Sequence, residues 1–150
     1  MCRTVAATLI WLVLALAWGL VFPAAPPTAA IPYDFLAITD QPFTLGIGRT
    51  AYLAAEDLTI TLVEVRDDSR CPANTVCVWA GQVTVELALA RRSGPARRLV
   101  LTGFPTPEHP LTQASGPLTI RVLAVNPYPS VGAPFPPDDY QVTLIVGGER

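Results

Sequence analysis

VTVELALARRSGPARRLVL, residues Val83 to Leu101, places large apolar side chains at every second position from Val83 to Leu89 and again at Leu99 and Leu101. A period of two belongs to a strand with one buried face. Ser93, Gly94 and Pro95 interrupt it, so the stretch predicts an antiparallel hairpin whose tip is the run Arg91 to Arg98. The same alternation recurs on both sides. Phe43, Leu45 and Ile47 alternate with Thr44 and Gly46, a short run follows from Arg49 to Ala54, and Leu58, Ile60 and Leu62 alternate with Thr59 and Thr61. The apolar phase then moves to Val63 and Val65. That shift predicts a β-bulge near Leu62, because one extra residue exchanges the two faces of a strand. Leu118, Ile120 and Val122, then Val142, Leu144 and Val146, supply two further strands. Between Ile31 and Arg150, Pro or Gly interrupts each run before a long helix could form. The chain therefore reads as all-β, a small antiparallel β-sandwich of about seven strands.

Ahead of this domain the composition changes. Met1 to Thr4 carries one positive charge at Arg3, a charge-free apolar run follows from Val5 to Phe22, and small residues with prolines lead to Ala30. A basic head, an apolar stretch and an Ala-rich exit are the three parts of a secretory signal. Thr28 and Ala30 stand at the minus-three and minus-one positions for cleavage. Residues 1–30 are accordingly read as a signal peptide and residues 31–150 as a single exported β domain, placed in the periplasm, at the cell surface or in the medium. The apolar run also has the roughly 17 to 25 residues that cross a bilayer, so an uncleaved N-terminal anchor is the alternative. Cys2 precedes the apolar run, the wrong side for a lipid-modified cysteine.

Without the signal, nine arginines stand against twelve acids, a net charge of about −3, and lysine is absent from the whole chain. Mild acidity excludes a general nucleic-acid binder, which presents a strongly basic face. A domain of this length holds one core.

The most distinctive segment is DSRCPANTVCVWAG, Asp68 to Gly81. Cys71 and Cys77 are the only cysteines left after cleavage, and two nearby cysteines in an exported chain pair as a disulfide. A zinc site lacks further ligands, and a redox pair needs the closer CxxC spacing. Cys77, Trp79, Gly81, Val83 and Val85 share one parity, so an uninterrupted strand would turn Cys77 and Trp79 into the core beside each other. A glycine at position 81 is the point where such a strand would bend.

Four pieces of the chain, DSRCP at Asp68 to Pro72, CVWAG at Cys77 to Gly81, NPYP at Asn126 to Pro129 and the late Tyr140, resemble a family of small exported bacterial proteins of uncharacterised function. The resemblance covers roughly Phe43 to Val146. It implies an exported β domain with a disulfide loop, and it brings no activity, cofactor or catalytic residue with it.

The remaining candidates divide between structure and binding. Asp68 and Arg70 sit at the mouth of the disulfide ring, where an aspartate caps a turn and an arginine pairs with it. Calcium held by Asp67, Asp68, Asp138 and Asp139 is the functional alternative, without a recognisable loop spacing. His109, the single histidine, lies between prolines in PEHP, and none of Ser69, Ser93, Ser115 and Ser130 stands in a nucleophile motif. Arg91, Arg92, Arg97 and Arg98 crowd one hairpin tip. Like charges there are solvated guards against edge pairing, or they meet an anionic polymer or lipid headgroup. Two stretches are longer than turns require, Gly103 to Pro117 with four prolines and Asn126 to Asp139 with five. Proline stiffens such loops, and Asn126, Pro127, Tyr128 and Pro129 join the four arginines as a candidate binding surface.

The function expected is a non-enzymatic exported module, without a cofactor, that meets an envelope or extracellular protein through its loops and makes no membrane contact once cleaved. A secreted protease inhibitor presenting the Pro-rich loops is the alternative, and a hydrolase finds no supporting constellation. Mass spectrometry of the protein from an exporting host should give an N-terminus near Ile31 and no alkylatable thiol before reduction. Retention of residues 1–30, or two free cysteines, is the opposing result.

Overall fold

The computed structural model describes residues 32–148; the stretch read as a signal peptide, Cys2 included, lies outside them. Nine strands follow one another: β1 (Phe35–Ala37), β2 (Phe43–Gly46), β3 (Thr50–Leu53), β4 (Leu58–Arg66), β5 (Val83–Arg91), β6 (Arg97–Gly103), β7 (Leu111–Ser115), β8 (Leu118–Asn126) and β9 (Gln141–Gly148). They form a five-stranded sheet in the order β1-β3-β4-β5-β6 and a four-stranded sheet in the order β2-β9-β8-β7. β1 runs parallel to β3, and the other neighbours are antiparallel. Among the described residues the helical segments are two single 3-10 turns, Ala54–Glu56 and Pro137–Asp139, and no helix is long and apolar enough to cross a membrane.

The core is the meeting of the two inner faces. Ile60 and Leu62 of β4 and Val83, Val85 and Leu87 of β5 are wholly buried, as are Ile120 and Val122 of β8 and Val142, Leu144 and Val146 of β9. The bulge expected near Leu62 is present, since pairing with β5 slips between Leu62 and Glu64 and Val65 becomes the next buried position. β8 carries a matching bulge between Val122 and Ala124, after which Val125 takes over the inner face. The fold class holds, with two more strands than expected. β1 has three residues, too few for alternation to be read, and β7 buries no side chain fully. β7 occupies part of the stretch from Gly103 to Pro117 that reads as loop.

At one end of the sandwich β4 joins β5 through residues 67–82, and β8 joins β9 through residues 127–140. The first connection has a neck. The backbone N–H of Ser69 donates to Gln82 O at 2.8 Å and that of Cys71 donates to Ala80 O at 2.8 Å. Gly81 lies between these rungs at φ +73°, and a Cβ there would be driven into the Ser69 carbonyl. A left-handed backbone costs a non-glycine residue about 1 to 2 kcal/mol before any clash. Gly81→Ala should therefore lower unfolding free energy by more than about 2 kcal/mol in a urea titration; a variant with the wild-type midpoint would show that the neck opens freely.

Candidate functional site

Arg70 follows the neck inward and is 4% exposed. A buried guanidinium needs its N–H groups satisfied, and here every nitrogen has a partner and four of the five N–H groups are engaged. Nε donates to Asp68 Oδ1 at 2.8 Å, Nη2 to Asp68 Oδ2 at 2.7 Å and to Pro127 O at 3.2 Å, and Nη1 to Val125 O at 2.6 Å. The guanidinium plane lies over the Tyr128 ring, 4.7 Å from its centroid, which adds a cation–π contact. The Tyr140 hydroxyl donates to Asp68 Oδ2 at 2.8 Å, and its ring stands edge-on to Phe135 at 5.0 Å. DSRCP, NPYP and the late tyrosine thus close on one buried knot.

Electrostatics within the knot follow from these contacts. Burial pushes the Asp68 carboxyl up, but the hydrogen bonds from Arg70 and Tyr140 together outweigh it and hold the group below its ordinary value. Burial and then the bond to Asp68 push the Tyr140 hydroxyl up to about 12. Both oxygens of Asp68 are engaged, so it has no lone pair turned to a substrate or metal. Among the described residues no three His, Cys, Asp or Glu side chains gather where a metal ion could be held. The aspartates considered for calcium, Asp67, Asp68, Asp138 and Asp139, therefore form no such group.

Above the knot stands the disulfide, Cys71 to Cys77 with Cα atoms 5.8 Å apart. A second set of bonds ties its ring to the neighbouring loop. Ala73 N–H donates to Pro129 O at 2.9 Å, Asn74 Nδ2 to Val131 O at 3.1 Å, and Val131 N–H to Asn74 Oδ1 at 2.8 Å. At the summit Val76 is 97% exposed, Val78 101% and Trp79 83%. No charged residue occurs from Cys71 to Gln82.

This overturns the core placement of Trp79 and Cys77. β5 begins only at Val83, and the turn at Gly81 cuts the parity that linked the pair to the strand. The contrary signal was already in the sequence: Val76, Cys77, Val78 and Trp79 are apolar at four successive positions, which is not the pattern of a half-buried strand. Asn126, Pro127, Tyr128 and Pro129 brace the knot from the side, and Tyr128 remains 39% exposed. Within the arginine cluster, Arg92 Nε lies 3.7 Å from Asp57 Oδ1, and Arg98 bonds Glu86, which Arg66 Nη2 approaches at 3.4 Å, so two of the four exposed arginines are paired as well as solvated. His109 is exposed, its backbone bonded to Thr106.

Asp68→Ala would strand a buried cation, and breaking a buried pair in this way costs about 3 to 5 kcal/mol. The pH dependence has a definite sign. Because the folded Asp68 value is depressed, its stabilisation is complete above the ordinary 3.8 and is lost as pH falls through the folded value. Because the Tyr140 value is raised, its share is complete below 10.0 and disappears as pH rises through about 12. Urea titrations at stepped pH should show a shallower acid limb for Asp68→Asn than for wild type, and identical limbs would remove Asp68 from the account. Compared with models of known families, with curated proteins and with solved structures, the chain matches none.

Proposed function

We propose that the chain is exported and that its β domain is a non-enzymatic binding module which docks an apolar groove of an envelope or extracellular protein onto the tip at Val76, Val78 and Trp79. The observation that carries this is the near-complete exposure of three large apolar side chains on a loop braced at every level beneath them. Covering one such side chain gains roughly 1.5 to 3 kcal/mol, and the sandwich, with its core complete elsewhere, leaves all three in water. Sixteen residues, Asp67 to Gln82, connect two strands that pair directly, where a hairpin needs about two to five. The excess length serves the protrusion. Bracing also lowers the ordering cost on association, because the loop already holds its bound shape. Tryptophan is among the residue types that dominate contact energies.

A protease inhibitor remains the second reading, supported by the same convex, disulfide-closed shape; the inserted segment is then the ring at Cys71 to Cys77 and not the Pro-rich loops. Trp79→Ala with Val78→Asp should change stability by no more than about 0.5 kcal/mol per site, since neither side chain is packed. The same variant should fail to retain the partner that the wild-type domain captures by crosslinking from its own envelope. Equal retention by wild type and variant, or a large fall in melting temperature, sinks the proposal. Trp79-dependent sedimentation with lipid vesicles would assign the tip to a membrane instead, and saturable inhibition within a protease panel would select the second reading.

A further inference from the structure

The end of the sandwich opposite the tip is closed by the β5–β6 hairpin. Along β5 the inner face is occupied by Val83, Val85, Leu87 and Leu89, and the same phase continues to Arg91. Along β6 Leu101 is buried and Leu99 half-buried in that phase, and Arg97 precedes them, in register with Leu89. Two rows that supply leucines to the core therefore each end in an arginine at its mouth. Their sequence neighbours turn to the outer face and are neutralised there, Arg92 by Asp57 and Arg98 by Glu86. Among the described residues no carboxylate lies within ion-pair distance of Arg91 or Arg97.

Both arginines line a cavity of about 260 Å³. Its floor is apolar and drawn from both sheets, Leu58 and Leu89 on one side and Leu118 and Ile120 on the other. The volume falls just short of ligand pockets that take drug-sized molecules, which start near roughly 300 Å³, and so suits a smaller ligand. We propose that this mouth binds a small amphipathic carboxylate, an anionic head on an aliphatic chain. Guanidinium groups offer paired N–H donors that match a carboxylate, and an anion between two like charges relieves their repulsion. The chain then displaces water from the cavity, which Pro95 and Pro117 wall and the buried leucines back. A bare anion would use the arginines and leave the cavity wet, and a neutral alcohol would do the reverse, so the two halves of the site can be read separately.

Calorimetric titration of the 31–150 domain should show saturable one-to-one binding of octanoate, at least tenfold weaker binding of butanoate and inorganic phosphate, and at least tenfold weaker binding of octanol. Arg91→Gln with Arg97→Gln should weaken octanoate binding tenfold or more, whereas Arg92→Gln, whose partner is Asp57, should leave it unchanged. The idea fails if octanoate does not saturate below its aggregation range, if phosphate binds as well as octanoate, or if the double variant binds undiminished. It fails equally if octanoate binds only after Glu149→Gln, because the chain's own carboxylate would then hold the arginines. The tip variant Trp79→Ala should bind octanoate as wild type does, so this result stands or falls apart from the docking reading.

Discussion

The pairing of Arg70 with Asp68 is the constraint on which the shape of the disulfide-bearing end of this domain depends. Taking a guanidinium and a carboxylate out of water costs several kcal/mol for each ion, and mutual attraction offsets that only when geometry is good and the spare hydrogen-bonding groups are filled. Both conditions hold: the fork is bidentate, and the outward N–H groups of Arg70 reach Val125 O and Pro127 O. Two apolar side chains of similar volume would fill the space without such directions. Three of the five donor–acceptor lines from Arg70 end on Asp68 in its own connection; the two that reach Val125 O and Pro127 O, with the Tyr140 bond to Asp68, fix where the β4–β5 connection sits relative to the β8–β9 connection. The disulfide then needs only to shape the ring above, because the ring's base is already placed.

Charge pairing recurs on the outer face of the five-stranded sheet in a different role. Glu86 lies on that face, yet its side chain is 5% exposed, because Arg66 and Arg98 fold over it. The bond from Arg98 holds the Glu86 carboxyl below its ordinary value, against the opposing push of burial. Arginines that look alike in sequence thus divide by strand parity. Those on the outer face close over acids, and those in the inner phase stand at the mouth of the core.

Much of the architecture was legible because β4, β5, β8 and β9 each bury one face, and burial of one face imposes alternation. The β4 bulge was legible for the same reason, as the phase change from Leu62 to Val65 records it. The step from Val122 to Val125 is an equal record in β8. Of the four edge strands, β2 and β6 were legible while β1 and β7 escaped notice, because β1 has three residues and the residues of β7 other than Leu111 and Ser115 are exposed. The knot was legible as residues but not as a unit: Arg70 and Val125 lie 55 positions apart, and Asp68 and Tyr140 lie 72 apart. Periodicity carries no information at such separations. Trp79 was misplaced by extending a strand's parity through a glycine, the one residue for which a left-handed φ is free of steric penalty.

That misplacement identifies what separates the tip from its support. Every bracing interaction lies below the summit: the polar knot at Arg70, the backbone rungs of the neck, the Asn74 amide exchange with Val131 and the disulfide. None of them uses the side chains of Val76, Val78 or Trp79. The loop's conformation is therefore independent of what its exposed side chains are. A surface so arranged can change its apolar contacts residue by residue while the sandwich beneath keeps its stability, and loss of the knot would remove the tip's shape without touching a contact residue. The bracing and the exposed apolar surface thus reside in different atoms of the same sixteen-residue connection, a separation that a tryptophan packed in the core would not have allowed.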